Sequence, residues 1–338
     1  MAKRARSKGG SQPLAKRGAR RIATPGPAGT PSQGNGVPVR VSADSVDPGA
    51  GFLVVGVGAS AGGLEAFSTL LRGIPQDTPI ALVFVQHLAA DHRSLLPELL
   101  GAVSAFPVEQ ARDGVAIRPG HVYVIPPDAR MTVNDGHLAL AARAGGYASA
   151  IDHFLVSLAD QYRERSVGVV LTGGGHDGAT GIREIKAAGG ITMVQSPAEA
   201  AMDSMPRAAI ATGAVDLVMP LGRIAEQLAE LSRHPFLKHP AAEAAGALDA
   251  QDERLRRLFQ LLRRSSGVDF SQYKPATLVR RIQRRMALHR LSSAEAYLAF
   301  IETNPSEAEA LYEDILIHVT SFFREPESFE ILKERILP

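Results

Sequence analysis

Three residue types that together perform acyl transfer stand at separated points of this chain: Ser60, His87 and Asp177. A serine hydroxyl is a weak nucleophile until a base takes its proton. An imidazole titrates near enough to neutrality to do so, and a carboxylate on its other nitrogen fixes the tautomer and stabilises the imidazolium. Ser60 is the centre of Gly58-Ala59-Ser60-Ala61-Gly62, a G-x-S-x-G spacing that lifts a hydroxyl above a strand end and points it at the start of a helix. His87 follows the apolar run Ile80–Gln86, and Asp177 lies in Thr172-Gly173-Gly174-Gly175-His176-Asp177-Gly178. The backbone N–H of Ala61, beside Gly62, and an N–H from the Gly173, Gly174, Gly175 loop are candidate donors to an oxyanion. One such donor is worth ~3 kcal/mol in the transition state.

A rival reading makes the glycine-dense turn a phosphate cradle of the dinucleotide-binding kind. It lacks the third glycine, where Ala61 stands, and the second strand ends in Gln86-His87 where ribose recognition wants an acid. The order Ser, His, Asp also differs from the α/β-hydrolase order, in which the acid precedes the histidine. His121, His137 and His153 fall on strand or helix patterns and read as structural, His92 opens a helix, and His176 adjoins the candidate acid. No His/Asp/Glu pair has metal-binding spacing, and the chain has no cysteine, so no metal is expected and neither a disulfide nor a thiolate nucleophile is available.

The elements that must carry these residues follow from periodicity. Apolar runs at Phe52–Val57, Ile80–Gln86, Val167–Thr172, Ile191–Val194 and Val215–Met219 alternate with helical patterns at Leu64–Leu71, Leu95–Val103, Ile151–Gln161, Gly178–Ala188 and Ile224–Leu231. That alternation predicts an α/β fold, a doubly wound, mostly parallel, Rossmann-like sheet, in which ligands bind beyond the carboxyl ends of the strands. Ser60, His87 and Asp177 each follow such a strand. Between Phe106 and Ala142 the pattern changes to short antiparallel strands at His121–Ile125, Met131–Val133 and His137–Ala141, with a hairpin turn at Asn134-Asp135-Gly136. From Gln251 the chain reads as wholly helical: Arg254–Arg264, Pro275–Arg290, Ser293–Glu302 and Ser306–Val319. The expected organisation is a disordered basic tail over 1–49, an α/β domain over 50–232, a linker over 233–250, a small all-α domain over 251–320, and the start of a further domain over 321–338.

The chain has 338 residues, 45% hydrophobic and 21% charged, with a formal net charge of +2. Nine basic residues and two acids (Asp44, Asp47) fall within residues 1–48, so the remainder is net acidic and nucleic acid is not an expected partner. No apolar run is long enough to span a membrane and the amino terminus lacks a secretory core, which predicts a cytoplasmic protein without membrane insertion. In the helical part, Arg280, Arg281, Arg284 and Arg285 form two like-charge pairs at i,i+4 beside an apolar stripe of Leu278, Ile282 and Met286. Stacked cations repel, so an acidic partner would stabilise that helix; a solvated basic face is the alternative.

GVGASAGGLEA, FVQHL, RPGHVYVIPP, SVGVVLTGGGHDGATGI and Ser204-Met205-Pro206-Arg207 make residues 51–231 resemble the catalytic domain of the CheB protein-glutamate methylesterases. The resemblance implies Ser60 as nucleophile, His87 as base and Asp177 as acid, with no cofactor. It implies hydrolysis of glutamate γ-methyl esters on chemotaxis-type receptors through an acyl-enzyme, with glutamine deamidation as a side activity. Ala61 and Gly174 depart from the family's Thr or Ser and its Met. Residues 254–338, through DFSQYK, the arginine-rich helix and TSFFREPESF, resemble the start of the CheR receptor methyltransferases. That implies Arg280, Arg281, Arg284 and Arg285 as a surface for an acidic receptor coiled coil, and Thr320 and Arg324 as a remnant of an S-adenosylmethionine site. A catalytically silent receptor-binding scaffold is the rival expectation.

Overall fold

Residues 53–59, LVVGVGA, form a strand buried along its whole length (β1, Leu53–Ala59), because both of its faces are covered by helices. The structure is a computed structural model and describes residues 51–87, 94–142, 149–235, 253–270 and 273–316. β1 lies at the centre of a sheet of seven strands, with β2 (Ile80–Gln86), β5 (His121–Val124) and β3 (Val108–Gln110) on one side and β8 (Ser166–Val170), β9 (Ile191–Gln195) and β10 (Leu217–Met219) on the other. Every pairing in it is parallel. The chain therefore winds outwards from β1 through β2, returns, and winds outwards again from β8. The crevice at the β1/β8 reversal is where a doubly wound sheet binds ligands.

Alternate residues of β1 enter different cores. Leu53, Val55 and Val57 pack with α1 (Gly63–Gly73) and α6 (Leu221–Arg233), through Phe67, Leu70, Ile224 and Leu228. Val54 faces the layer of α3 (Ala150–Tyr162) and α4 (Ala179–Ala188), with Phe154, Leu155 and Ile182. A Cβ on Gly56 would lie 2.6 Å from Leu155 Cδ2, and one on Gly58 would lie 2.3 Å from Ile151 Cγ2. These two glycines thus let α3 lie against the strand, and they need no phosphate to explain them.

The interval from Phe106 to Ala142 corrects the expectation in one respect. β6 (Ala129–Asn134) and β7 (His137–Ala142) form the antiparallel hairpin, joined by β4 (Val115–Ala116). His121–Val124, however, is β5 and pairs in parallel with β2 in the main sheet, so its apolar pattern marked a buried strand. A short α2 (Leu96–Gly101) precedes β3, and α5 (Ser204–Ala211) lies between β9 and β10 in the chain.

Four helices follow among the described residues: α7 (Glu253–Ser266), α8 (Pro275–Leu288), α9 (Ala294–Thr303) and α10 (Pro305–Leu316). Ser293 caps α9 by accepting Ala296 N–H at 3.2 Å. Their own core holds Leu258, Leu262, Phe270, Ile282, Met286 and Leu311, while Ala287 and Leu288 of α8 join the core under α1 and α6. The described residues accordingly belong to one compact unit.

Arg281 and Arg284 correct the expectation of an exposed arginine face on α8, for both are 3% exposed. Arg281 donates to the carbonyls of Lys186 (3.3 Å) and Ala187 (3.0 Å), the unpaired end of α4. Arg284 Nε donates to Gly190 O at 2.9 Å, and its other nitrogens pair with Asp216 and Asp314. Lys186 pairs with the same two carboxylates, at 2.5 and 3.0 Å. Arg285 pairs with Glu307, which also accepts from Tyr297 and His289. Arg280 pairs with Glu164 at 3.3 Å and remains half-exposed. Arg280, Arg284 and Arg285 do meet acidic partners, and those partners belong to the chain itself.

Candidate active site

Strand register brings the first two residues together. Ala59 is opposite Gln86 at the end of the β1–β2 ladder, so Ser60 and His87 leave neighbouring strands side by side. The turn after β1 is held from both flanks. Ser60 N–H donates to Thr172 O at 3.0 Å, and Ser60 O accepts from Gly63 N–H (2.9 Å) and Gln86 Nε2 (3.2 Å). Gly62 closes the turn at φ 75°, a left-handed angle that favours glycine, and a Cβ on Gly63 would fall 2.7 Å from Ala59 Cβ.

The third residue arrives on the loop after β8. His87 Nε2 donates to Asp177 Oδ2 at 2.8 Å. With Nε2–H so engaged, Nδ1 is the nitrogen of the neutral ring left with a free lone pair. Asp177 is 8% exposed and also accepts Ile151 N–H at 3.0 Å and Asp152 N–H at 2.9 Å. Burial would push its carboxyl up; the hydrogen bonds from His87, Ile151 and Asp152 more than offset this and hold it below the ordinary carboxylate range. The acid is thereby kept ionised, as orientation of an imidazole requires.

The glycine loop is fixed by neighbours that the sequence reading passed over. Thr172 N–H donates to Gln195 Oε1 at 2.8 Å, and the Thr172 hydroxyl accepts Met202 N–H at 2.8 Å and donates to Ala61 O at 3.0 Å. Gly173 N–H donates to Met202 O at 2.9 Å, so of the three candidate loop donors it is already engaged. A Cβ on Gly173 would lie 2.1 Å from Met205 Sδ and 2.9 Å from Ser60 Cβ, whereas Gly174 and Gly175 face open space. Ala61 and Gly175 are exposed and Gly62 and Gly174 half-buried, so solvent reaches the turn and the loop on this side. His176 is exposed, and His121 and His137 bond to backbone carbonyls near them in the chain. Among the described residues no group of three His, Asp or Glu side chains is placed to hold a metal. Thr320, Arg324 and His92 lie outside the described residues.

Residues 55–228 match the family model for CheB methylesterase, which covers half of the chain. The chain belongs to the CheB methylesterase family. Beyond the CheB region, residues 253–316 match the all-alpha domain of CheR methyltransferases. A protein-glutamate methylesterase/protein-glutamine glutaminase of Anaeromyxobacter dehalogenans is 40% identical over 182 residues, 53% of each chain. One of Myxococcus xanthus is 40% identical over 188 residues, 54% of each chain. A 104.1 kDa Rhodobacter capsulatus protein of undescribed function is 36% identical over 262 residues, 72% of this chain and 28% of its own. The chain thus spans about half the length of these methylesterase relatives and less of the larger one. In the Thermotoga maritima CheB methylesterase catalytic domain, the fold is shared over 53% of this chain and 98% of that one, with a TM-score of 0.50 and 28% identity.

Proposed function

We propose that residues 50–232 form a serine esterase that hydrolyses glutamate γ-methyl esters on chemotaxis-type receptors, with Ser60 as nucleophile, His87 as base and Asp177 as orienting acid. The observation that carries this reading is the 2.8 Å His87–Asp177 hydrogen bond beside Ser60 at the β1/β2 strand ends. Ser60 Oγ attacks the ester carbonyl as His87 Nδ1 takes its proton, and Asp177 stabilises the imidazolium. Backbone N–H groups of Ala61 and of Gly174 or Gly175 meet the oxyanion. Collapse expels methanol, which leaves with the proton from His87 and an acyl group on Ser60. A water activated by the same imidazole then releases glutamate. Every step draws on side chains and backbone N–H groups.

The names of the relatives pair methylesterase with glutaminase. A glutamine side chain offers the same carbonyl with ammonia as the leaving group, so deamidation follows as a side activity of the same site. The partner is an acidic helical coiled coil bearing methylated glutamates. S-adenosylmethionine belongs to the remainder of a CheR-type methyltransferase, beyond residue 320.

The test is methanol release from a methylated receptor fragment by the wild-type chain and by Ser60→Ala. Loss of release in the variant is expected, and equal release from both would remove Ser60 as nucleophile. A catalytically silent scaffold would leave Ser60 unlabelled by an organophosphorus reagent that modifies a control esterase.

A further inference from the structure

Neither α3 nor α4 caps its own amino terminus. The N-cap residues, Ser149 and Gly178, make no side-chain cap hydrogen bond. Each helix is capped by a carboxylate from the other. Asp177, just ahead of α4, accepts the N–H groups of Ile151 and Asp152 in the first turn of α3. Asp152, in that first turn, accepts Gly178 N–H at 2.9 Å and Gly181 N–H at 2.7 Å, both on Oδ1. Two buried carboxylates thus hold one another's helix, and one of the two also accepts from His87 Nε2. Asp152 is 9% exposed, and burial beside Asp177 pushes its own carboxyl up. Carrying a buried carboxylate next to another is costly unless both are well bonded.

We infer that Asp152 is a positioning residue of the esterase: it fixes the Gly178 end of the loop that carries Asp177, and so sets the His87–Asp177 hydrogen bond. This deepens the serine-esterase reading and rests on it. Asp177 itself is tied to α3 through Ile151 and Asp152 N–H, and Asp152 ties the residue that follows it. Gly178 has φ 99°, and its missing Cβ is the space occupied by Val170 Cγ2 and Ile151 Cγ2, at 3.0 and 3.2 Å from where it would stand. The Gly178 peptide is thus held by shape and by the Asp152 acceptor, with Asp177 one residue away. Asp152 touches no reacting atom. Its loss acts through the orientation of Asp177 and hence on kcat, since its hydrogen bonds run to Gly178 and Gly181.

The experiment compares the full chain with Asp152→Ala and Asp152→Asn. The alanine variant removes the acceptor; the asparagine variant keeps an oxygen that can accept from Gly178 and Gly181. Expected are a kcat for methanol release at least about tenfold lower in Asp152→Ala with KM within about twofold, and recovery of most of that loss in Asp152→Asn. The second readout needs no activity. The downfield imidazole N–H proton of His87, assigned by its disappearance in His87→Gln, is expected in wild type and Asp152→Asn, and is lost or shifted in Asp152→Ala. Unchanged kcat and an unchanged His87 signal in Asp152→Ala would overturn the inference, as would a rise in KM with kcat retained. Should Asp152→Ala fail to fold, as judged by circular dichroism, Asp152→Asn decides: a retained signal and kcat support the inference, and loss of both overturns it. If Ser60→Ala releases methanol as fast as wild type, the esterase reading fails while the His87 signal still decides the place of Asp152.

Discussion

Ser60 is tied at both ends of its backbone and crowded at its Cβ. Its amide is tied to Thr172, its carbonyl to Gly63 and Gln86, and its Cβ sits against the space that a side chain on Gly173 would need. Gly173→Ala is therefore expected to displace either Met205 or Ser60. It should lower the melting free energy by about 1–3 kcal/mol and reduce methanol release beyond what the stability loss explains. A thermal melt beside a rate measurement checks both, and a fully active Gly173→Ala would show that Met205 yields instead. Asp177→Asn keeps the shape and forfeits the ionised acceptor, so kcat should fall by about 10³–10⁴ with KM little changed. That Ser60, His87 and Asp177 share one sheet edge was legible in sequence because each follows a buried strand, and strand ends in a parallel sheet converge. Asp152 was not, since it lies in an ordinary amphipathic helix pattern and its partners, Gly178 and Gly181, are 26 and 29 residues further on.

At the scale of elements, the catalytic edge depends on how closely α3 approaches β1 and α4. A Cβ on Gly181 would lie 2.4 Å from Leu155 Cβ, so the two helices touch backbone to side chain. Gly181→Val should push α4 from α3, costing about 1–3 kcal/mol and disturbing the Asp152 contacts at the same time. A denaturant titration measures this, and an unshifted midpoint would mean that the helices have room to part. Periodicity alone placed β2, α3 and α4 within a residue or two of where they lie. It misassigned β5, because a four-residue apolar run looks the same in a hairpin as in a parallel sheet. It also could not see the acidic partners of α8: Arg284 reaches Asp216 across 68 residues of sequence, and nothing local records such a pair.

For the molecule as a whole, the decisive structure is the buried ionic seam of Lys186, Asp216, Arg284 and Asp314. Burial drives Asp216 up in pKa, and Arg284 with Lys186 reverses this to hold it at about 2, below its ordinary 3.8. Glu307, likewise opposed by burial and rescued by His289 and Arg285, is held at about 2 from 4.5. Both folded values are depressed, so the stability these groups contribute is complete above pH about 4.5 and is lost as pH falls towards 2. Acid titration followed by circular dichroism should show that loss, with a shallower acid limb in an Asp216→Asn, Glu307→Gln double variant. Arg284→Met leaves Lys186 as the near cation of Asp216 and Asp314, with Arg285 at 3.9 Å from Asp314, and should destabilise the chain by about 3–5 kcal/mol in denaturant unfolding. A loss below 1 kcal/mol would show the seam to be neutral.

That seam also changes what it means to divide the chain where the two family matches part. A polypeptide severed between residues 236 and 252 would still present Lys186, Asp216 and the open carbonyls at the end of α4 to Arg281 and Arg284. The halves should therefore find each other as two separately synthesised pieces, co-eluting as one particle at neutral pH and high salt alike. Arg281 and Arg284 would then serve as the address by which one fragment recognises the other.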